Sequence, residues 1–383
     1  MNNTNGNTYR ILTLFGTRPE VIKLAPIIHA LEKRPDVFAT INVTSGQHKD
    51  ILYPFIQQFR LRVDEDLALH QPHQKPINVC SRAISALADL YERMKPDLVL
   101  VQGDTSTALA GALTGFYLKI PVGHVEAGLR SGDKDNPFPE EMNRRLITRL
   151  ACYHFAATGT NAATLRSEGV AGEQIVISGN PVVDSLQWAL KESRPSDSTK
   201  TLLQNVSDKK LLVVTSHRRE SFGDLMLERL RRIADFLRRH EDVAMIFPVH
   251  PNPVVQEAAQ QAFQGVTSAN LIAPLDYFDF IHLLSQAWLI VSDSGGVQEE
   301  APTLKKPLLI LRENTERPEA VESGAARIVG PSPQKLASML EELYSSGTWS
   351  EELKSISNPF GSGNAGKNIV TAIESFLRQP EKT

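Results

Sequence analysis

Cysteine is scarce in this chain: Cys80 and Cys152 are the two present among 383 residues. They stand far apart, so they offer neither a metal-ligand spacing nor a dense disulfide framework, and both read as buried thiols of a reducing cytoplasm. Long apolar runs are also missing. No stretch approaches the roughly 20 apolar residues that span a bilayer. The polar start Met1-Asn2-Asn3-Thr4-Asn5-Gly6-Asn7 has no basic region followed by an apolar one, which argues against a secretory leader. Neither sign of charge dominates: 41 Lys and Arg against 44 Asp and Glu give a net charge of -3. Such a chain has no general attraction to nucleic acid or to an anionic membrane, and any anion must be held locally. The six-residue glycine fingerprint of dinucleotide-binding folds is absent too, so a nicotinamide cofactor is not expected. What remains is an ordinary globular composition, 41% hydrophobic and 22% charged. At roughly 100–200 residues per domain, it is long enough for two.

Short branched apolar runs alternate with helical stretches. Strand candidates are residues 10–15, 38–44, 98–101, 122–125, 153–157 and 174–177. Residues 191–200 then turn polar, with Ser193, Pro195, Ser196 and Ser198, and read as the edge of an interdomain connection. The alternation restarts at 211–214 and continues at 244–249, 271–272, 289–291, 308–311 and 328–329. The expected class is α/β, with two doubly wound Rossmann-like domains facing a cleft. They should cover residues 9–190 and 208–364, with an amphipathic helix at 365–380 packed across both.

Ligands of such sheets bind outside the carboxyl ends of the strands, so the residues directly after each strand matter most. Gly16-Thr17-Arg18-Pro19-Glu20 follows the first. Pro19 suits a first helical position, Gly16 permits close backbone approach, and Arg18 sets a planar cation beside a helix N-terminus. That is either a phosphate contact or an ordinary βα turn with an exposed arginine. Asp104 follows the 98–101 run at a corner where a carboxylate can cap the next helix. Glu126 ends the 122–125 run, and Pro139-Glu140-Glu141 opens a further helix. Capping or solvation explains any one of these acids; three together are harder to dismiss.

In the second half, His217 and Arg218 follow one strand, His250 another, and Ser292-Asp293-Ser294-Gly295-Gly296 a third. The last is the strongest local signal, because glycine amides, hydroxyls and a helix N-terminus can converge on phosphate. Glu300, about one turn inside, could accept both hydroxyls of a ribose. Thr315-Glu316-Arg317-Pro318-Glu319 resembles Thr17-Arg18-Pro19-Glu20, and an arginine at each could hold a diphosphate. The histidines of His70-Gln71-Pro72-His73-Gln74 fit a surface turn better than a metal site.

These segments, with Gln102-Gly103-Asp104-Thr105, His124-Val125-Glu126-Ala127-Gly128-Leu129-Arg130 and Pro139-Glu140-Glu141-Met142-Asn143-Arg144, closely resemble the bacterial non-hydrolysing UDP-N-acetylglucosamine 2-epimerases. The match runs over about residues 10–376. It implies a glycosyltransferase-B-like pair of domains, a homodimer, no cofactor and no metal. It also implies interconversion of UDP-GlcNAc and UDP-ManNAc for surface polysaccharide synthesis. By motif position it assigns Asp104, Glu126, Glu140 and His217 to catalysis. Arg18, Lys23, Arg218, Phe280, Ser294, Gly295, Gly296, Glu300 and Arg317 fall to substrate and UDP binding. Many bacterial members bind a second UDP-GlcNAc as an activator. Gln47 and His48 match the loop used for it, and Gln74 and His250 are further candidates, although residues 70–74 lack the common arginine.

The chemistry accounts for such a set. The C-2 hydrogen of the sugar is not beside a carbonyl, so simple deprotonation would leave an unstabilised carbanion. Expelling UDP from C-1 as the proton leaves avoids it, and requires acid/base groups together with a grip on the diphosphate. A glycosyltransferase of the same fold, a hydrolysing epimerase, an epimerase of another UDP-acetamido sugar and a silent nucleotide-sugar sensor are the rival readings.

Overall fold

The computed structural model describes residues 8–46, 49–71, 74–218 and 222–379. They fall into two compact units, one reaching Ser185 and resuming at Phe360, the other Leu186–Pro359. In the first unit the elements are β1 (Tyr9–Phe15), α1 (Arg18–Glu32), β2 (Phe38–Thr44), α2 (Lys49–Gln58), β3 (Glu65–Asp66), α3 (Pro76–Met94) and β4 (Leu98–Gln102). There follow α4 (Ser106–Tyr117), β5 (Val122–Ala127), α5 (Glu140–Leu150), β6 (Tyr153–Ala156), α6 (Gly159–Ser167), β7 (Ile175–Ile177) and α7 (Pro181–Glu192), which runs on into the second unit. The strands form one parallel sheet in the order β3-β2-β1-β4-β5-β6-β7. Every residue of β4 is buried, as expected for a parallel strand covered by helices on both faces.

The second unit repeats the plan. It contains α8 (Asp197–Gln204), β8 (Lys210–Thr215), α9 (Asp224–Arg239), β9 (Val243–Pro248), α10 (Pro253–Phe263), β10 (Ala269–Ile272), α11 (Tyr277–Gln286) and β11 (Leu289–Ser292). The chain continues through α12 (Gly295–Thr303), β12 (Leu308–Ile310), α13 (Pro318–Glu322), β13 (Ala326–Ile328), α14 (Pro333–Ser346) and α15 (Trp349–Ser355). Its parallel sheet has the order β10-β9-β8-β11-β12-β13. Strand order reverses between β1 and β4 in one sheet and between β8 and β11 in the other. These are the switch points where doubly wound sheets receive ligands.

Three local features depart from the sequence reading. The polar stretch 191–200 is not all connection: Ser196 caps α8, accepting from the Thr199 amide, and itself bonds to Asp279. Polar composition hid a short helix whose one buried face is supplied by tertiary contacts. The unit boundary accordingly falls inside α7, and the chain rejoins the first unit at Phe360. The final helix, α16 (Ala365–Arg378), read as a strap over both domains, is anchored on the first unit. Asp184 accepts its Ala365 and Gly366 amides at 3.1 and 3.0 Å, and Phe376 stacks on Tyr153 with ring centres 4.1 Å apart. Among the described residues, no helix is long and apolar enough to cross a membrane. Cys80 and Cys152 are unpaired and only partly buried.

Candidate active site

At the switch point of the first unit, the loops after β1 and β4 are packed together. A Cβ on Gly16 would lie 2.0 Å from Ser45 Oγ and 2.9 Å from Thr107 Oγ1, so only glycine fits. Arg18 is exposed at the start of α1, its guanidinium 5.6 Å from the centre of the Phe55 ring, a cation–π contact that orients it. Asp104 does not cap α4. Thr105 does, accepting from the Ala108 amide at 2.9 Å, which leaves the Asp104 carboxylate for other work. Its Oδ2 accepts two nitrogens of Arg144, both at 2.7 Å, while Asn143 donates to its carbonyl at 2.7 Å. Burial pushes the Asp104 carboxyl up, Arg144 opposes this and the charge of Glu140 adds to it. The net result lies above the usual carboxylate range. A carboxyl tuned in that direction suits a general base working near neutral pH.

Glu126 lies inside β5 instead of after it. The register with β6 slips between Val125 and Ala127, and Glu126 occupies the slip at φ +66°. For a non-glycine residue that left-handed conformation costs about 1–2 kcal/mol. A bulge of this kind re-aims a side chain and is frequent beside active sites. Here it turns the carboxylate to Lys23 Nζ on one oxygen and Gln102 Nε2 on the other. Both charged side chains are about nine-tenths buried, so the pair is shielded from solvent screening. Glu140 begins α5, half-buried. Its neighbour Glu141 is fully buried; burial raises its carboxyl, but the Ser131 amide, Arg144 and Arg145 hold it below the usual range. Arg144 therefore bridges Asp104 and Glu141. Beneath the loop, His124 Nε2 lies 2.8 Å from the Gly103 carbonyl. Burial pulls this histidine down to about 3, so a neutral ring donates to that carbonyl.

The second unit builds a different surface. Asp293, fully buried after β11, accepts the amides of His217 and Arg218 at 3.0 and 3.1 Å and the Ser216 hydroxyl at 2.8 Å. Its other oxygen is 3.2 Å from His217 Nδ1. Burial raises the Asp293 carboxyl, yet these contacts hold it below the usual range. The ion fixes the ring by Nδ1 and leaves Nε2 for another partner. His250 stands beside it, ring centres 6.0 Å apart. Ser294 precedes α12 as its N-cap residue and Gly295-Gly296 form the first turn. A Cβ on Gly295 would meet Arg317 Nη1 at 3.1 Å and Arg218 Nη2 at 3.7 Å. Two guanidinium groups thus lie over bare amides at a positive helix end. Arg218 Nε is buried without a hydrogen-bond partner, an unmet donor beside a positive helix end. Arg317 is oriented by Glu299 at 2.6 Å, and Glu300 Oε1 lies 3.9 Å from where a Gly296 Cβ would stand. Phe280 is half-buried on α11.

The match to known proteins falls on this arrangement. The family model described as UDP-N-acetylglucosamine 2-epimerase matches residues 29–374. The chain belongs to that family. A UDP-N-acetylglucosamine 2-epimerase of Escherichia coli (strain K12) is 43% identical over 370 residues, covering 95% of this chain and 98% of the relative. Among solved structures, a UDP-GlcNAc 2-epimerase from Neisseria meningitidis bound to UDP-GlcNAc superposes with a TM-score of 0.87 at 38% identity, covering 96% of this chain and all of that one. One from Methanocaldococcus jannaschii gives 0.81 at 34% identity, with 96% and 99% covered. The α/β class and two-sheet architecture expected of the family are those observed.

Within the family's segments, the structure brings Asp104 together with Glu140, and Lys23 with Glu126, in one unit. It brings His217 together with His250, and Arg218 with Gly295 and Arg317, in the other. Gln47 and His48 lie outside the described residues, as do Pro72, His73, Arg219, Glu220 and Ser221. Gln74 accepts from Arg82 at 2.6 Å, and Arg82 also reaches Gln71 and the Leu69 carbonyl. A guanidinium from α3 thus serves the segment whose own sequence lacks arginine. His250, a further candidate for the activator site in the sequence reading, lies beside His217. Sequence reasoning passed over Arg144, Gln102 and Asp293. The i,i+3 spacing of Glu141 and Arg144 was the one available signal, since it sets both on one face of α5.

Proposed function

We propose that this protein interconverts UDP-GlcNAc and UDP-ManNAc without net hydrolysis, by anti-elimination and re-addition of UDP. A carboxylate takes the C-2 proton; the C–H electron pair becomes the C-1–C-2 double bond, and the C-1–oxygen bond breaks toward the β-phosphate. 2-Acetamidoglucal and UDP remain held together until UDP adds back to C-1 and a proton reaches the opposite face of C-2. The group of Asp104, Glu126 and Glu140 handles the sugar. That of Arg218, Ser294, Gly295, Gly296, Glu300 and Arg317 takes the UDP, with Arg18 and Lys23 assisting, and His217 meets the departing diphosphate.

The observation carrying this reading is Asp104: freed from capping by Thr105, raised in pKa by burial, and set beside a second carboxylate. Nucleotide binding alone has no use for such a group. The product would supply surface polysaccharide synthesis in the cytoplasm, and a second copy of the chain would complete a homodimer. The exposed Ile77, Phe116, Tyr117, Met142 and Leu146, on helices α3, α4 and α5 that pack side by side, support that assembly.

Incubation with UDP-GlcNAc in heavy water tests the reaction. UDP-ManNAc bearing deuterium at C-2 is expected. Free ManNAc would indicate a hydrolysing enzyme, and no exchange without an acceptor would indicate a transferase or a sensor. Either outcome would sink the proposal.

A further inference from the structure

We infer that Glu20 is a positioning residue for proton transfer, tying the loop that carries Arg18 to the loop that carries Asp104. The inference rests on the epimerase reading above. Glu20 is the third residue of α1 and is completely buried. Its Oε2 accepts the Gly16 amide at 2.9 Å, the Thr17 amide at 2.7 Å and the Thr17 hydroxyl at 2.8 Å. Its Oε1 accepts the Thr105 hydroxyl at 2.6 Å.

The Thr17 amide bond is half of an ordinary capping box and needs neither burial nor a fourth partner. The Thr105 bond is the informative one, because it leaves α1 altogether. Thr105 Oγ1 already accepts from the Ala108 amide, so its single proton is committed to Glu20. The residue before it is Asp104. One carboxylate therefore collects donors from both loops at the switch point, where His124 and Asn143 hold the Gly103 and Asp104 carbonyls. Burial pushes the Glu20 carboxyl up to about 7 against those donated bonds, the mark of an acceptor placed in the interior and kept there by its partners.

A glutamine at position 20 fills the same space but cannot accept on both sides. With its oxygen toward Gly16 and Thr17, its amide N–H groups face Thr105, whose hydroxyl can accept from them on its second lone pair but loses the charged acceptor for its own proton. Glu20→Gln should leave the capping contact and replace the charge-assisted bond from Thr105 by a weaker, reversed one, loosening the tie to the Asp104 loop. Thr105→Val cuts the same tie from the other side, leaving the α1 cap whole but also removing the Thr105 cap of α4. Both variants and the double variant are assayed in the full chain with UDP-GlcNAc, with thermal melts confirming the folded fraction. Each single change is expected to lower kcat about 10–100-fold with KM nearly unchanged, the range for a catalytic group misplaced by about an ångström. The double variant should be no slower than the slower single one, since the tie can be lost once. A fall of less than about threefold in Glu20→Gln, or a double effect equal to the product of the singles, overturns the inference. Hydrogen exchange of residues 103–108 separates this from failure of the reaction assignment. Faster exchange in Glu20→Gln supports the tie even if the wild type does not turn over UDP-GlcNAc, and unchanged exchange refutes it whatever the activity.

Discussion

Replacing Arg144 with Met probes the electrostatics around Asp104, and the size of the effect can be worked from the structure. Two Arg144 nitrogens lie 2.7 Å from Asp104 Oδ2, and a third lies 3.0 Å from Glu141. Opposite unit charges with centres about 4 Å apart interact by about 4 kcal/mol at an effective dielectric near 20. The Asp104 side chain is 23% exposed, so roughly half of that, about 2 kcal/mol, is a fair expectation once solvent screening is allowed for. Losing that attraction pushes the Asp104 carboxyl further up. It is already raised by burial and by Glu140, and Arg144 is the main force opposing the rise. A base must be deprotonated to act, so the acidic limb of kcat/KM against pH moves upward. Stability follows the same sign. A carboxyl raised in the folded state favours folding at low pH and loses that favour as pH climbs. The variant and the parent should therefore melt alike with respect to Asp104 in acid, then diverge as pH passes through the native value. Initial rates of UDP-ManNAc formation from pH 5 to 9.5, with melts in the same buffers, measure both effects. An acidic limb that stays within half a unit, or moves down, would refute this account of Asp104.

Asp104→Asn should lower turnover by about 10²–10⁴, the range for losing a general base, while calorimetry finds UDP binding retained; an active variant removes Asp104 from the mechanism. Gly295→Ala places a methyl 3.1 Å from Arg317 Nη1, close enough to push the guanidinium aside. UDP affinity should fall about tenfold, or about 1.4 kcal/mol, with the melting temperature unchanged; unaltered affinity would separate Arg317 from the diphosphate. If Gln74, held by Arg82, belongs to an activating nucleotide-sugar site, UDP-ManNAc kinetics are sigmoidal and trace UDP-GlcNAc makes them hyperbolic. Hyperbolic kinetics without activator would dismiss that site.

How much of this was legible in the sequence depends on distance along the chain. Strand runs such as 38–44 and 98–101 announce themselves because a strand buried on both faces needs a continuous apolar run. The glycines and acids after such runs could be picked out because turns and helix starts are local chemistry. Two local signals misled. Asp104 looked like a cap because aspartate is a good one, but Thr105, one residue on, takes that duty and frees the carboxylate. Residues 191–200 looked like a linker because serine and proline dominate, yet the same Ser196 caps α8. The partners that give the acids their character were not legible. Arg144, Lys23 and Gln102 meet Asp104 and Glu126 through pairing of β4 with β5 and packing of α1 and α5, which no spacing records. The bulge at Glu126 is the sharpest case. A one-residue slip against β6 turns a strand residue toward Lys23 and Gln102, and nothing in Val125-Glu126-Ala127 marks it. Glutamate is a poor residue for a left-handed position, so the strain there is sustained by those two partners. Releasing it, by removing Lys23 or Gln102, should move the carboxylate before it disturbs the sheet.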